Sequence, residues 1–268
     1  MPDGPALLID LDGTLYTDAG AISGAVNAVA ELRRSRRPFR FVTNTTRRSR
    51  GALVERLRGY GFAVEPTEVF TSVLAGARLL RERGVRRVAP FVAERALEDL
   101  AEFDLIGGTA RSPSPGVHPG SGVPEAVIVG DLGSAWTPTL LNEAFRHVLD
   151  GALLVALQKD RYWLGATGLE LDAGPYVAAL EYATGQQALV CGKPNPAFYR
   201  GALATLGADA PASAIMVGDD LWADVAGAQQ AGLQGWLVRT GKFRQDVLER
   251  SGVKPDRVLG SVVEILER

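Results

Sequence analysis

Cysteine is almost missing: Cys191 is the only one in 268 residues, and only two histidines accompany it. One thiol closes no internal disulfide and completes no zinc cluster of the usual Cys/His kind. The fold must therefore rest on an apolar core, which a chain of this length can bury unaided. A reducing, cytoplasmic compartment is the natural reading. Long hydrophobic runs are missing too. The apolar stretch of residues 6–9 is ended at once by Asp10 and Asp12, too soon for a secretory signal, and no run approaches the roughly 18 residues of a membrane span. Nor is there an excess of positive charge. The formal net charge of −2 argues against general affinity for nucleic acid. Two arginine-rich patches stand against that balance. Residues 33–37 follow Ala25, Val26, Val29 and Leu32, apolar at helical spacing, so their charges complement a helix C-terminus. Residues 47–50 directly follow a candidate phosphate-binding turn. Neither nucleic acid nor a membrane is an expected partner.

What remains is ordinary globular material, 46% hydrophobic and 22% charged, patterned as alternating strands and helices. Residues 6–9 read as a buried strand, Ser23 as the cap of a helix to about Ser35, residues 39–42 as the next strand. A second helix is expected over about 48–59, with Leu53 and Leu57 on one face. Farther on, Asn195 followed by Pro196 is a helix start and Gly207 its stop. Residues 214–217 read as a strand, followed by a helix to about Ala231 that Gly232 closes, and 236–238 as another strand. Such repetition implies an α/β fold, a doubly wound and mostly parallel sheet with helices on both faces. Sheets of that kind bind ligands at the carboxyl ends of their strands. The middle of the chain has elements of its own at 126–129, 153–157 and 175–182, and residues 109–124, rich in Gly, Pro and Ser, read as a long surface loop. The expected organisation is a discontinuous core, 1–72 and 188–268, with an α/β unit, 73–187, inserted.

Four short segments carry chemistry. Asp10-Leu11-Asp12-Gly13-Thr14 ends the first expected strand. Residues two apart on an extended backbone point to one side, so Asp10 and Asp12 face the carboxyl edge together. Two carboxylates there repel unless something positive lies between them, and a hard cation with oxygen ligands meets that need. Gly13 permits a sharp turn and Thr14 a local hydrogen bond, which is also what a plain acidic turn would use. Thr43-Asn44-Thr45-Thr46 offers hydroxyls, an amide and backbone N–H groups near a helix start, as an anion cradle or simply an N-cap. In Cys191-Gly192-Lys193-Pro194-Asn195-Pro196 the flanking Gly and Pro fix the backbone of Lys193. That suggests an ammonium placed to neutralise a carboxylate and a phosphate; a solvated surface lysine is the plainer alternative. Gly218-Asp219-Asp220, with Asp224 one helical turn beyond Asp220, crowds carboxylates at another strand end, for metal binding or for helix capping. Val129-Gly130-Asp131 imitates this last segment but carries one acid with no acidic partner nearby.

In this order, each at a strand's carboxyl end, the segments closely resemble the four motifs of the haloacid dehalogenase (HAD) superfamily of phosphatases, over nearly the whole chain. Residues 217–220 with Asp224, Gly227-Ala228, Ala231-Gly232 and Thr240-Gly241-Lys242-Phe243 look like the subgroup with a large α/β cap between its second and third motifs. That subgroup includes 4-nitrophenylphosphatase-like and nucleotide phosphatase members. Gly174-Pro175-Tyr176, Glu181-Tyr182-Ala183 and the Gly-Lys-Pro run look most like the branch holding phospholysine phosphohistidine inorganic pyrophosphate phosphatase and its HAD-domain relatives. Animal members of that branch often replace the second aspartate of the first motif, whereas this chain keeps Asp12. The resemblance implies a Mg2+-dependent phosphatase acting on a small phosphorylated metabolite. By it, Asp10 is the nucleophile that forms an aspartyl-phosphate and Asp12 the general acid/base. Mg2+ is held by Asp10, the Asp12 carbonyl and Asp219, with Asp220 touching the metal or a ligand of it and Asp224 orienting a metal-bound water. Thr43, the backbone near Asn44 and Lys193 bind the phosphoryl oxygens. Relatives also imply a homodimer through the cap. Two other readings share these residues: a phosphotransferase or phosphomutase using the same intermediate, and a HAD-fold binding protein without turnover.

Overall fold

A computed structural model describes residues 4–111, 122–165, 168–207 and 214–266. The chain forms two compact units, one of Met1–Thr43, Leu53–Phe70 and Lys193–Arg268, the other of Asn44–Ala52 and Thr71–Gly192.

The first unit is built on a six-stranded sheet in the order Arg257–Leu259, Gln234–Val238, Ala214–Gly218, Ala6–Asp10, Phe39–Thr43, Val69–Thr71. The strand Ala6–Asp10 lies at its centre and pairs in parallel with both neighbours. All five of its residues are buried, the mark of a strand covered on both faces. Period-two alternation sorts them. Leu7 and Ile9 join Phe39, Phe41, Ile215, Val217, Trp236 and Val238 against the helices Ala25–Arg34 and Arg50–Gly59. On the opposite face Leu237 packs with Leu221 and Val225, and the helix Pro196–Ala204 touches the central strand. That helix starts as its sequence dictates: the Asn195 side chain accepts from Ala197 N–H at 2.8 Å and Pro196 takes the first position, where no N–H is needed.

The second unit holds a five-stranded sheet, Leu189–Val190, Leu153–Ala156, Ala126–Val129, Arg87–Phe91, Asp104–Leu105, with every pair parallel. Ile128 and Val155 face the helix Ser72–Glu82. Val127, Val129, Leu154 and Ala156 face Pro138–Leu149 and Ala173–Thr184. A separate antiparallel hairpin, Tyr162–Gly165 with Gly168–Leu171, is one the strand-and-helix pattern did not foretell.

Three local expectations change. The first helix is capped at Gly24, φ +79°, and not at Ser23, so a left-handed backbone replaces a hydroxyl cap. The second begins at Arg50, where the Asp99 carboxylate accepts the Arg50 N–H at 2.7 Å and Ser49 Oγ accepts that of Ala52. After the strand Ala214–Gly218 comes a wide π-type turn, Leu221–Ala226, before the short helix Gly227–Gln230. Such turns insert a residue into the helical register and are frequent at functional sites. Of the expected loop at 109–124, Gly108–Arg111 forms a tight helical turn held by Thr109 Oγ1, which bonds the carbonyls of Pro90 and Val92, and residues 112–121 lie outside the described residues. No helix among those described is long and apolar enough to cross a membrane.

Candidate active site

Parallel register puts the first unit's chemistry in one row. Asp10 is the last residue of the central strand. On one side Ile9 is level with Val217, so Gly218 and Asp219 run out beside it; on the other Asp10 is level with Val42, so Thr43 follows. Beyond Asp10 the chain reverses: Leu15 N–H donates to the Leu11 carbonyl at 2.8 Å and Gly13 N–H to that of Tyr16 at 2.7 Å, with Gly13 at φ +80°.

Lys193 comes from the loop before the Asn195 cap. Its Nζ donates to Asp10 Oδ1 at 2.5 Å and to Asp224 Oδ1 at 2.6 Å. Asp224 stands in the wide turn, where its Oδ2 accepts the Asp220 N–H at 3.0 Å. A Cβ on Gly218 would meet that oxygen at 2.1 Å, so only glycine fits there. Asp219 is gripped by two further glycines: a Cβ at Gly13 or Gly241 would fall 2.1 or 1.9 Å from its Oδ2, the atom that accepts the Lys242 N–H at 2.6 Å. Carboxyl oxygens of Asp10, Asp219 and Asp224 lie within 4.8 Å of one another. Lys193 is 3% exposed and these three acids no more than 6%.

The family model for haloacid dehalogenase-like hydrolases matches residues 7–106, and that for HAD-hydrolase-like proteins matches 190–265. Haloacid dehalogenase-like hydrolase domain-containing protein 2 of Homo sapiens is 41% identical over 250 residues, covering 93% of this chain and 90% of that protein. The chain belongs to the haloacid dehalogenase-like hydrolases. A second human member, phospholysine phosphohistidine inorganic pyrophosphate phosphatase, is 37% identical over 97% of this chain and 92% of its own. Among solved structures, p-nitrophenyl phosphatase from Archaeoglobus fulgidus superimposes with a TM-score of 0.85 at 30% identity, over 98% of both chains. Glycerol phosphate phosphatase from Mycobacterium tuberculosis in complex with magnesium gives 0.80 at 29%, over 97% of this chain and 75% of that one.

In this haloacid dehalogenase-like centre, charge decides what fits. Two of the three carboxyls, Asp10 and Asp224, share the buried Lys193 ammonium, while Asp219 takes the Lys242 N–H. Burial raises Asp10 despite the opposing pull of Lys193. Asp219 is pushed up to about 8, by burial and then by Asp10 and Asp224, and Asp224 to about 7, by burial against Lys193. Burial works against the Lys193 charge, but Asp10 and Asp224 outweigh it and hold the pKa well above that of an ordinary lysine. Carboxyls driven to keep their protons are short of positive charge, and oxygen donors this close suit a hard divalent cation.

A pH dependence follows for metal-free protein. Asp219 and Asp224 retain protons in the folded state that the unfolded chain gives up near pH 4. Together they lower the stability of the folded state as the pH rises from about 4 towards their folded pKa values. Asp220 and Glu68, shifted downward, are ionised in both states above pH 5 and do not offset this. Unfolding in urea with EDTA at pH 5, 6, 7 and 8 is expected to show falling stability; a rise over that interval would contradict it.

The remaining candidates divide. Asp12 is exposed and bridges to Tyr16. Thr43 is buried beside the Asp10 strand end. Asp220 stands outside the three-acid group: Oδ1 caps the Trp222 and Ala223 N–H groups while Oδ2 takes Lys242 Nζ at 3.0 Å. Asn44 falls in the second unit, where its carbonyl accepts from Ser72 Oγ and its side chain abuts Gly192. The imitating Asp131 is also there, paired with Arg47 at 2.8 Å and bonded at its N–H by Thr46 Oγ1. Sequence reasoning gave no site role to Thr240, Gly241 and Lys242. Thr240 Oγ1 donates to the Gly13 carbonyl at 2.6 Å, and Lys242 serves Asp219 and Asp220. The signal was their place directly after the next strand, Gln234–Val238, at the same sheet edge.

Proposed function

We propose that the chain is a Mg2+-dependent phosphatase that hydrolyses a small phosphorylated metabolite through an aspartyl-phosphate on Asp10. As a haloacid dehalogenase-like hydrolase with named phosphatases among its relatives, it is a phosphoric monoester hydrolase. The observation that carries the finer reading is the buried group of Asp10, Asp219 and Asp224 around Lys193. A carboxylate approaches a phosphate dianion only where positive charge offsets the repulsion, and this group supplies the ammonium and the oxygen ligands for the rest.

Asp10, Asp219 and the Asp12 carbonyl would hold Mg2+, with Asp224 as a further ligand or the holder of a bound water. The ion supplies charge neutralisation on the transferring phosphoryl group. Asp10 attacks phosphorus in line; the bond to the leaving oxygen breaks, and Asp12 gives that oxygen a proton. Asp12 then takes a proton from water as it adds to phosphorus, releasing phosphate and restoring the Asp10 carboxylate. Thr43 and Lys193 orient the phosphoryl oxygens. The inserted α/β unit, expected over residues 73–187, would be the family's cap. A homodimer through that unit belongs to the same reading, since its hairpin leaves Tyr162, Leu169 and Leu171 more than half exposed. A cytoplasmic setting agrees with Cys191, whose thiol burial pushes up to about 12 and so keeps unreactive.

A panel of phosphate esters, phosphoramidates and pyrophosphate, each with Mg2+, tests the proposal. Free phosphate is expected without any acceptor, which separates a hydrolase from a phosphotransferase. EDTA should abolish release and added Mg2+ restore it; hydrolysis that survives chelation would contradict the metal's role.

A further inference from the structure

Of the groups proposed to hold Mg2+, Asp10 belongs to a buried strand and is bonded to Lys193. The Asp12 carbonyl and the Asp219 carboxyl lie beyond the ends of their strands. Both regions meet one segment, Thr240-Gly241-Lys242. Thr240 Oγ1 donates to the Gly13 carbonyl, one peptide past that of Asp12, at 2.6 Å, and the Lys242 N–H donates to Asp219 Oδ2 at 2.6 Å. Gly241 fills the space between these bonds. A Cβ built on it would fall 1.9 Å from Asp219 Oδ2 and 2.6 Å from Gly13 Cα, and one on Gly13 would reach the same carboxyl oxygen at 2.1 Å. Two glycine backbones and one carboxyl are thus interlocked, and none shifts alone.

The segment is itself anchored. It follows the strand Gln234–Val238, which is paired in parallel on both sides. Arg239 N–H donates to the Leu259 carbonyl at 2.9 Å, and Phe243 N–H to that of Thr240 at 3.2 Å, closing a turn in which Gly241 has φ +58°. Valine has the outline of threonine, so shape alone does not account for the Thr240 hydroxyl.

We infer that Thr240 is a positioning residue for the metal site: its hydroxyl fixes the Gly13 turn, and with it the Asp12 carbonyl, against the same loop whose Lys242 N–H fixes Asp219. Two of the oxygen donors then stand in place before an ion arrives. The inference rests on the reading of the Asp12 carbonyl and Asp219 as Mg2+ ligands. Groups that orient a ligand from behind typically change metal affinity 10- to 100-fold when removed. A rigid site matters more to Mg2+, which demands near-ideal octahedral geometry, than to Ca2+, which accepts irregular shells.

Titration calorimetry of Mg2+ and of Ca2+ into the metal-free full chain tests this without any turnover. In Thr240→Val the Kd for Mg2+ is expected to rise about 10- to 100-fold, and that for Ca2+ to stay within about threefold of wild type. Thr240→Ser, which keeps the hydroxyl, should bind Mg2+ within about threefold of wild type on the same reasoning. An unchanged Mg2+ affinity in Thr240→Val would overturn the inference. Equal losses for the two ions would also overturn it, because general damage to the fold is blind to coordination geometry. So would an equal loss in Thr240→Ser, which would tie the effect to shape. Crystal structures of the wild type with and without Mg2+ decide the matter even if the valine variant does not fold. The Gly13 carbonyl and Asp219 Oδ2 are expected to keep their places within about 0.5 Å, the tolerance of a preorganised site, and a larger shift on binding overturns the positioning role. A wild type that binds neither ion would instead defeat the metal reading, and the inference with it.

Discussion

Asp10→Asn is expected to abolish phosphate release, a loss of roughly 10⁴- to 10⁶-fold of the kind seen when a nucleophile is removed, while the protein stays folded. The amide matches the carboxyl in size and can still accept from Lys193, so the bond now made at 2.5 Å has a successor. It cannot attack phosphorus. Stability should hold or rise, because the Asp10 charge is among the causes that raise Asp219 and Asp224. Phosphate release and thermal unfolding on the same preparation check both halves, and full activity in the variant would defeat the nucleophile assignment.

Lys193→Met is expected to damage both stability and turnover. The side chain keeps its length and loses the ammonium that Asp10 and Asp224 share. Removing one partner of a buried ion pair costs about 3–5 kcal/mol, here partly relieved when the stranded carboxyls take up protons. The loss should therefore be greater at pH 8 than at pH 5, read from urea unfolding with EDTA. Turnover should fall about 10²- to 10³-fold, the usual effect of deleting one charge-stabilising donor. Unchanged stability at pH 8 would mean that the pair carries none of the fold.

The difference between Asp219 and Asp220 marks where sequence reading stops. Both follow a strand and both are acids, yet one joins the buried three-acid group and the other caps a turn and pairs with Lys242. The choice is made by Gly13, Gly241 and the Lys242 N–H, which approach Asp219 from other parts of the chain. Asp224 is similar. Its spacing from Asp220 is legible, but its bond to Lys193 spans 31 residues, and the Lys193 bond to Asp10 spans 183. Asn44, adjacent to Thr43 in sequence, goes with the other unit.

The sequence alone determined what local forces control: buried apolar runs become strands, Asn195-Pro196 starts a helix, and acids or hydroxyls stand where strands end. Because parallel strands align their carboxyl ends, that much already placed Asp10, Thr43 and Asp219 along one edge. Tertiary structure decided which oxygens point inward and which backbone N–H groups bind them. Those outcomes depend on the close approach of segments far apart in the chain, where glycine clearances of an ångström or two and the desolvation of each charge settle the arrangement, and no pattern along the chain encodes either.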